Sequence, residues 1–195
     1  MGNIFLTSDQ HFGHANILNF TDRDGNKIRP HWNNVEDMDN DLVERYNAVV
    51  KPGDKVYFLG DIAMKRAYIS TVGRLNGDKV LIKGNHDVAE LREYTKYFRD
   101  IRACHVLNNM IMTHIPIHLD GKVRYIVNIH GHLHNNVMKE DGRQWYINVS
   151  VEQTNFTPIA FDDIEQRVKN IFGINSIKEI YTKIREESKL QENNF

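Results

Sequence analysis

Side chains able to hold a metal or move a proton stand in five short clusters: Asp9 and His11, Asp61, Asn85 with His86, His114, and His132 with His134. Carboxylate, amide carbonyl and imidazole all offer lone pairs to borderline divalent cations such as Mn, Fe, Zn or Ni. With His86 set aside, the seven remaining ligand candidates are too many for one ion. Taken singly, each cluster has an ordinary reading. Asp9-x-His11 suits a solvated turn, Asp61 after Gly60 can cap a helix, and His114 can be a satisfied core histidine. Gly131-His132-Leu133-His134 also reads as alternate residues of an extended edge. Gly84-Asn85-His86-Asp87 is sharper, because a prescribed tetrapeptide arises by chance in about one chain per thousand of this length.

Each cluster directly follows a predicted strand. Short apolar runs at 4–7, 56–59 and 80–82 read as buried strands. Between the first two, Val35, Met38, Leu42, Tyr46 and Val49 mark a helix face with acidic residues in its first turn, stopped at Pro52-Gly53. A second helix is expected over 66–75, ending near Asn76-Gly77, so strand, helix and strand follow one another and imply parallel pairing. After a helix near 88–98, strands around 104–107, 110–113, 124–129 and 144–151 leave little room for helices, which predicts antiparallel pairing. Further helices are expected from Phe161 to Ile171 and over 176–190, the latter with Ile177, Ile180, Tyr181 and Ile184 on one side. In layered α/β sheets ligands collect beyond the carboxyl ends of the strands, so five loops are expected to converge on one site.

Composition narrows the classes. With 195 residues and 41% apolar side chains, one core and a single domain over 1–195 are expected, its core at 1–172 followed by the 176–190 helix and a polar tail. A formal charge of -1 supplies no basic excess for a long polyanion. The lone Cys104 excludes an intrachain disulfide or a thiolate zinc cage and suits a reducing compartment. Met1 to Leu6 reaches the polar Thr7-Ser8-Asp9 too soon for a signal peptide, and no apolar run approaches the roughly 20 residues of a membrane span. These features predict a cytoplasmic protein without membrane contact.

In order, Asp-x-His, Gly-Asp, Gly-Asn-His-Asp, a lone His and Gly-His-x-His resemble the calcineurin-like metallophosphoesterase superfamily. The likeness runs from Ile4 to about Phe161. It is nearest to small bacterial and phage phosphoesterases that open as Ser8-Asp9-Gln10-His11-Phe12-Gly13-His14-Ala15-Asn16-Ile17 does here. The resemblance implies an α/β fold, a four-layer αββα sandwich of mixed sheets flanked by helices, and a binuclear centre. One metal would take Asp9, His11 and His134 and the other Asn85, His114 and His132, with Asp61 bridging. Manganese is the first expectation, with iron, nickel or zinc as alternatives. The chain departs from the pattern at Met64, where many relatives carry a second Asp, and in the 21–34 segment, which is longer than in small relatives.

The implied reaction is phosphohydrolysis by a metal-bound hydroxide, with a formal charge of about +1 at the centre favouring an anionic phosphate. His86 would contact phosphate or protonate the leaving group, and Asp87 would orient its imidazole or cap the following helix. His14, Asn16 and Arg23 are candidates for touching substrate. Arg29 and His118 could also reach phosphate but read more simply as surface residues, and Trp32 and Trp145 as packing residues. A phosphodiester is preferred over a monoester because no basic cluster awaits a dianion, and a nucleotide or cyclic nucleotide is the candidate phosphoester partner. A monoesterase or nuclease on the same centre is the alternative within the chemistry. A noncatalytic scaffold of the same fold is the alternative outside it, and a complete ligand set argues against that.

Overall fold

Strands Ile4–Thr7 (β1), Lys55–Phe58 (β2) and Asp78–Ile82 (β3) are apolar on both faces, as a sheet covered on both sides requires. Phe5, Val56, Phe58 and Leu81 enter one buried cluster, and Leu6, Tyr57, Val80 and Ile82 enter another. The structure, a computed structural model, describes residues 2–118, 125, 127–138 and 145–179. The expected strand positions 124, 126 and 144 and the 176–190 helix beyond Glu179 lie outside the described residues.

The first sheet has the order β4-β3-β2-β1-β9, where β4 is Asp100–Arg102 and β9 is Ile159–Ala160. Its first four strands are parallel and β9 runs antiparallel to β1. Helix α1 (Val35–Val49) and a 3-10 helix at Arg66–Arg74 make the crossovers, packing Met38, Leu42, Tyr46, Ile69 and Val72 on one face. Asn34 starts α1 by accepting the Asp37 N–H at 2.9 Å on its side chain. The helix expected over 88–98 shrinks to Leu91–Tyr94 (α2), because the Asp87 carboxylate is bound to other loops and Val88 and Leu91 are exposed.

The second sheet has the order β5-β6-β7-β8: His105–Leu107, Met110–Met112, Val127–His130 and Trp145–Asn148. Here the antiparallel expectation is corrected. Only β5 and β6 are antiparallel, joined through Asn108 and Asn109 at φ 45° and 64°, the residue type and conformation of a tight hairpin. Strands β6, β7 and β8 are parallel. Their connections, 113–126 and 131–144, reach the dozen or so residues a parallel return needs.

Met110, Met112, Val127, Ile129 and Ile147 face the first sheet and close the second cluster, which Phe161, Ile164 and Val168 of α3 (Phe161–Phe172) also enter. The protein is thus an α/β sandwich of two mixed sheets flanked by helices. The far face of the second sheet carries buried Asn128 and His130. Segment 113–117 covers it, Ile117 N–H donating to Asn128 Oδ1 at 2.9 Å, and no helical layer is found there among the described residues. Polar groups on that face take hydrogen bonds where an apolar helix could offer none. No described helix is long and apolar enough to cross a membrane.

Candidate metal centre

Beyond the carboxyl ends of β1, β2, β3, β6 and β7 the chain turns sharply. Asp9, His11, Asp61, His132 and His134 all lie in left-handed conformation, at φ 61°, 52°, 55°, 69° and 50°. Such backbone costs about 1–3 kcal/mol per non-glycine residue and persists only where surroundings enforce it. Neighbouring loops do so here: the Asp9, His11 and Phe12 N–H groups donate to the Gly60, Asp61 and Ile62 carbonyls at 3.0, 3.1 and 2.9 Å. The motif glycines permit this approach. A Cβ on Gly84 would strike the Asp61 carboxylate, and one on Gly131 would strike Ser8 Oγ and Asp9 Oδ2. The sheets themselves join at the site, where Ser8 pairs with Ser150.

Two groups of candidate ligands result. Ligand atoms of Asp9, His11 and His134 lie within 4.8 Å of one another, as do those of Asp61, His114 and His132. Asp61 connects the groups: its Oδ2 is 3.6 Å from His11 Nε2 and 3.4 Å from His114 Nε2. Asn85 Oδ1 lies 2.8 Å from His114 Nε2 and completes the second group. Outer partners fix the rings. His114 Nδ1 is 2.6 Å from the Leu59 carbonyl and His134 Nδ1 is 2.9 Å from Glu152 Oε1, so each Nδ1 donates and Nε2 is left to face the centre. Asp9 Oδ2 accepts from His132 N–H and from Ser150 Oγ, both at 2.9 Å.

The electrostatics ask for positive charge. Asp9 Oδ1 and both ring nitrogens of His11 are buried without a hydrogen-bond partner. Burial pushes the Asp9 carboxyl up, and burial with help from Arg29 drops the His11 imidazole to about 3, so the ring is neutral. Burial also acts to lower His114 and His134, but the Asp61 and Asp9 carboxylates around the one and Glu152 beside the other outweigh it and raise both. Asp61 is pushed up by burial yet ends lowered by His114 and the His86 N–H. Unmatched buried polar atoms each cost about 1–3 kcal/mol, and divalent cations among these oxygens and nitrogens would remove that cost. The residues fit a two-metal site.

His86 is exposed beside this centre, its ring centroid 5.5 Å from that of His11. Asp87 does not touch that ring. Its Oδ2 accepts the Asp61 and Gly84 N–H groups at 2.9 Å and its Oδ1 the Ile62 N–H at 3.0 Å. This corrects the expected orienting role: the carboxylate pins the β2 and β3 loops to each other. His14 is half-buried with its ring 5.4 Å from His11, whereas Asn16 and Arg23 are exposed and bond to no ligand candidate. Arg29 is fully buried, against its reading as a surface residue. Trp32 packs edge-on against Phe156 and Trp145 against Phe172, as packing residues would. Glu152 and Ser150 escaped the sequence reading. Applying the strand-end rule to β8 as well would have found them.

The chain matches no family model. The uncharacterized protein MJ1445 of Methanocaldococcus jannaschii is 32% identical over 193 residues, an alignment covering 92% of this chain and 99% of that one. The chain belongs to the MJ1445 family. A solved structure extends this to the fold: AQ665 of Aquifex aeolicus, a protein of unknown function, superposes on the MJ1445-family chain with a TM-score of 0.66 at 25% identity, spanning 85% of this chain and 99% of its own. An archaeal phosphodiesterase gives a TM-score of 0.43 at 19% identity over 75% of this chain and 82% of its own, too slight a likeness to support fold or function.

Proposed function

We propose that the protein is a divalent-metal-dependent phosphohydrolase of the calcineurin-like metallophosphoesterase type, acting on a phosphodiester. One observation carries the reading: Asp61 Oδ2 stands 3.6 Å and 3.4 Å from imidazole nitrogens of two separate ligand groups, the position of a carboxylate shared by two cations. Asp9, His11 and His134 would hold one cation and Asn85, His114 and His132 the other, with manganese as the first candidate. When bound, such a pair supplies Lewis-acid stabilisation of phosphate charge and a water acidic enough to attack near neutral pH.

The chain's own groups do the rest. His86, exposed at the mouth, hydrogen-bonds a phosphate oxygen and donates its ring proton to the leaving oxygen as the bond to phosphorus breaks. The His86 backbone N–H donates to Asp61 Oδ1 at 2.8 Å, which ties the loop carrying His86 to the carboxylate. His14 lies at the same mouth as a second substrate contact. Arg29 is unavailable to a dianion, its guanidinium being buried and bonded within the protein. This favours a diester, which carries one charge fewer.

Turnover of bis(p-nitrophenyl) phosphate and p-nitrophenyl phosphate by Mn-loaded protein tests the proposal. Faster diester cleavage, abolished by chelator and restored by Mn, is expected. Faster monoester cleavage would reverse the substrate preference, and no cleavage of either with any divalent ion would remove the enzyme reading.

A further inference from the structure

Arg29 belongs to neither sheet, yet it has no exposed surface and its guanidinium is fully engaged. Its NH1 donates to the Gln10 carbonyl at 2.9 Å and its NH2 to the Asp9 carbonyl at 2.6 Å. Those carbonyls belong to the turn that sets Asp9 and His11 in left-handed conformation. Its Nε donates to Glu152 Oε1 at 2.8 Å, and NH2 lies 2.7 Å from the same oxygen. Glu152 Oε1 in turn accepts from His134 Nδ1 at 2.9 Å. One guanidinium therefore fixes the backbone of two members of a ligand group and, through Glu152, the ring of the third.

Among the described residues the other group is held without Arg29 or Glu152: His114 Nδ1 donates to the Leu59 carbonyl, Asp61 accepts the His86 N–H, and Asp87 takes the Asp61 and Gly84 N–H groups. General stability is a poor account of the pair. A buried ion pair often contributes no more than apolar side chains of the same volume, whereas its geometry specifies position.

We propose that Arg29 and Glu152 are positioning residues that preset the Asp9, His11 and His134 position for its cation and leave the Asn85, His114 and His132 position untouched. The inference rests on the two-metal reading above and gives the 21–34 segment a purpose, as the carrier of a brace. Losing an outer partner of a metal ligand costs about 10–100-fold in affinity, and here the loss falls on one position of two.

The test is calorimetric titration of the full chain with Mn(II), read alongside the electron paramagnetic resonance spectrum at two equivalents. The Arg29→Met/Glu152→Met double variant removes the pair without stranding a buried charge. Expected are two sites per chain in the natural protein. In the double variant one site keeps its affinity within about 2-fold, the other weakens about 10–100-fold, and a single-ion spectrum replaces the coupled pair. Glu152→Gln, which keeps an acceptor at Oε1, should fall between them and carries the test alone if circular dichroism shows the double variant unfolded. Equal weakening of both sites, or no change at either, overturns the brace. A natural protein that takes up two Mn(II) but cleaves no phosphoester sinks the enzyme reading and leaves the brace standing. Fewer than two sites in the natural protein sinks both.

Discussion

At the scale of single residues, what matters is which atoms are left without partners. Asp61 is the sharpest case, since Oδ1 is satisfied by the His86 N–H while Oδ2 faces two imidazoles. Asp61→Asn preserves the first bond through its amide oxygen and removes only the negative charge between the two proposed cation positions. It should fold normally and lose Mn affinity and turnover by about 100-fold or more, beyond what an outer partner costs. Calorimetry and the diester assay would check this, and near-normal binding would show that the carboxylate is not shared. The ligand candidates were legible because a simple rule, polar residues just after apolar runs, applies to each. Asp87 misled because an Asp next to His86 suggests a dyad, whereas three backbone N–H groups lie within its reach. Arg29 was illegible because nothing local marks an arginine as buried when its acceptors are Asp9, Gln10 and Glu152.

At the scale of elements, helix α1 docks on the loop that carries Asp9 and His11 through a buried acid. Asp39 is 7% exposed and its Oδ2 accepts the Gly13 N–H at 2.9 Å, while Oδ1 has no partner. Burial pushes its carboxyl up to about 6, the Gly13 N–H and Arg29 restraining the rise. A carboxyl raised on folding contributes stability that is fully present below its unfolded value near 4 and is lost as pH rises through about 6, here about 3 kcal/mol. Asp39→Asn cannot ionise, so in chelator its stability relative to the natural protein should rise by about 3 kcal/mol between pH 4 and pH 7. Denaturant titrations at several pH values would show this, and a pH-independent difference would contradict it. Helix α1 was legible because its apolar spacing and the Asn34 start are local signals. The 88–98 helix was overread, its rhythm of Val88 and Leu91 being an exposed one.

At the scale of the whole molecule, two mixed sheets bring the ends of β1, β2, β3, β6, β7 and β8 to one place, with Ser8 and Ser150 as the seam. The parallel character of the first sheet follows from visible crossover helices. That of the second was hidden, because apolar periodicity reports which face is buried and not which way a strand runs. Direction matters to function here: with β6, β7 and β8 parallel, His114, His132, His134 and Glu152 all follow carboxyl ends on the same side of the sandwich. The central claim is that these ends hold two cations sharing Asp61. Anomalous scattering from crystals grown with manganese tests it most directly. The account predicts two peaks, one among Asp9, His11 and His134 and one among Asn85, His114 and His132, with the Asp61 carboxylate touching both. A single peak, or none among these residues at saturating manganese, would contradict it.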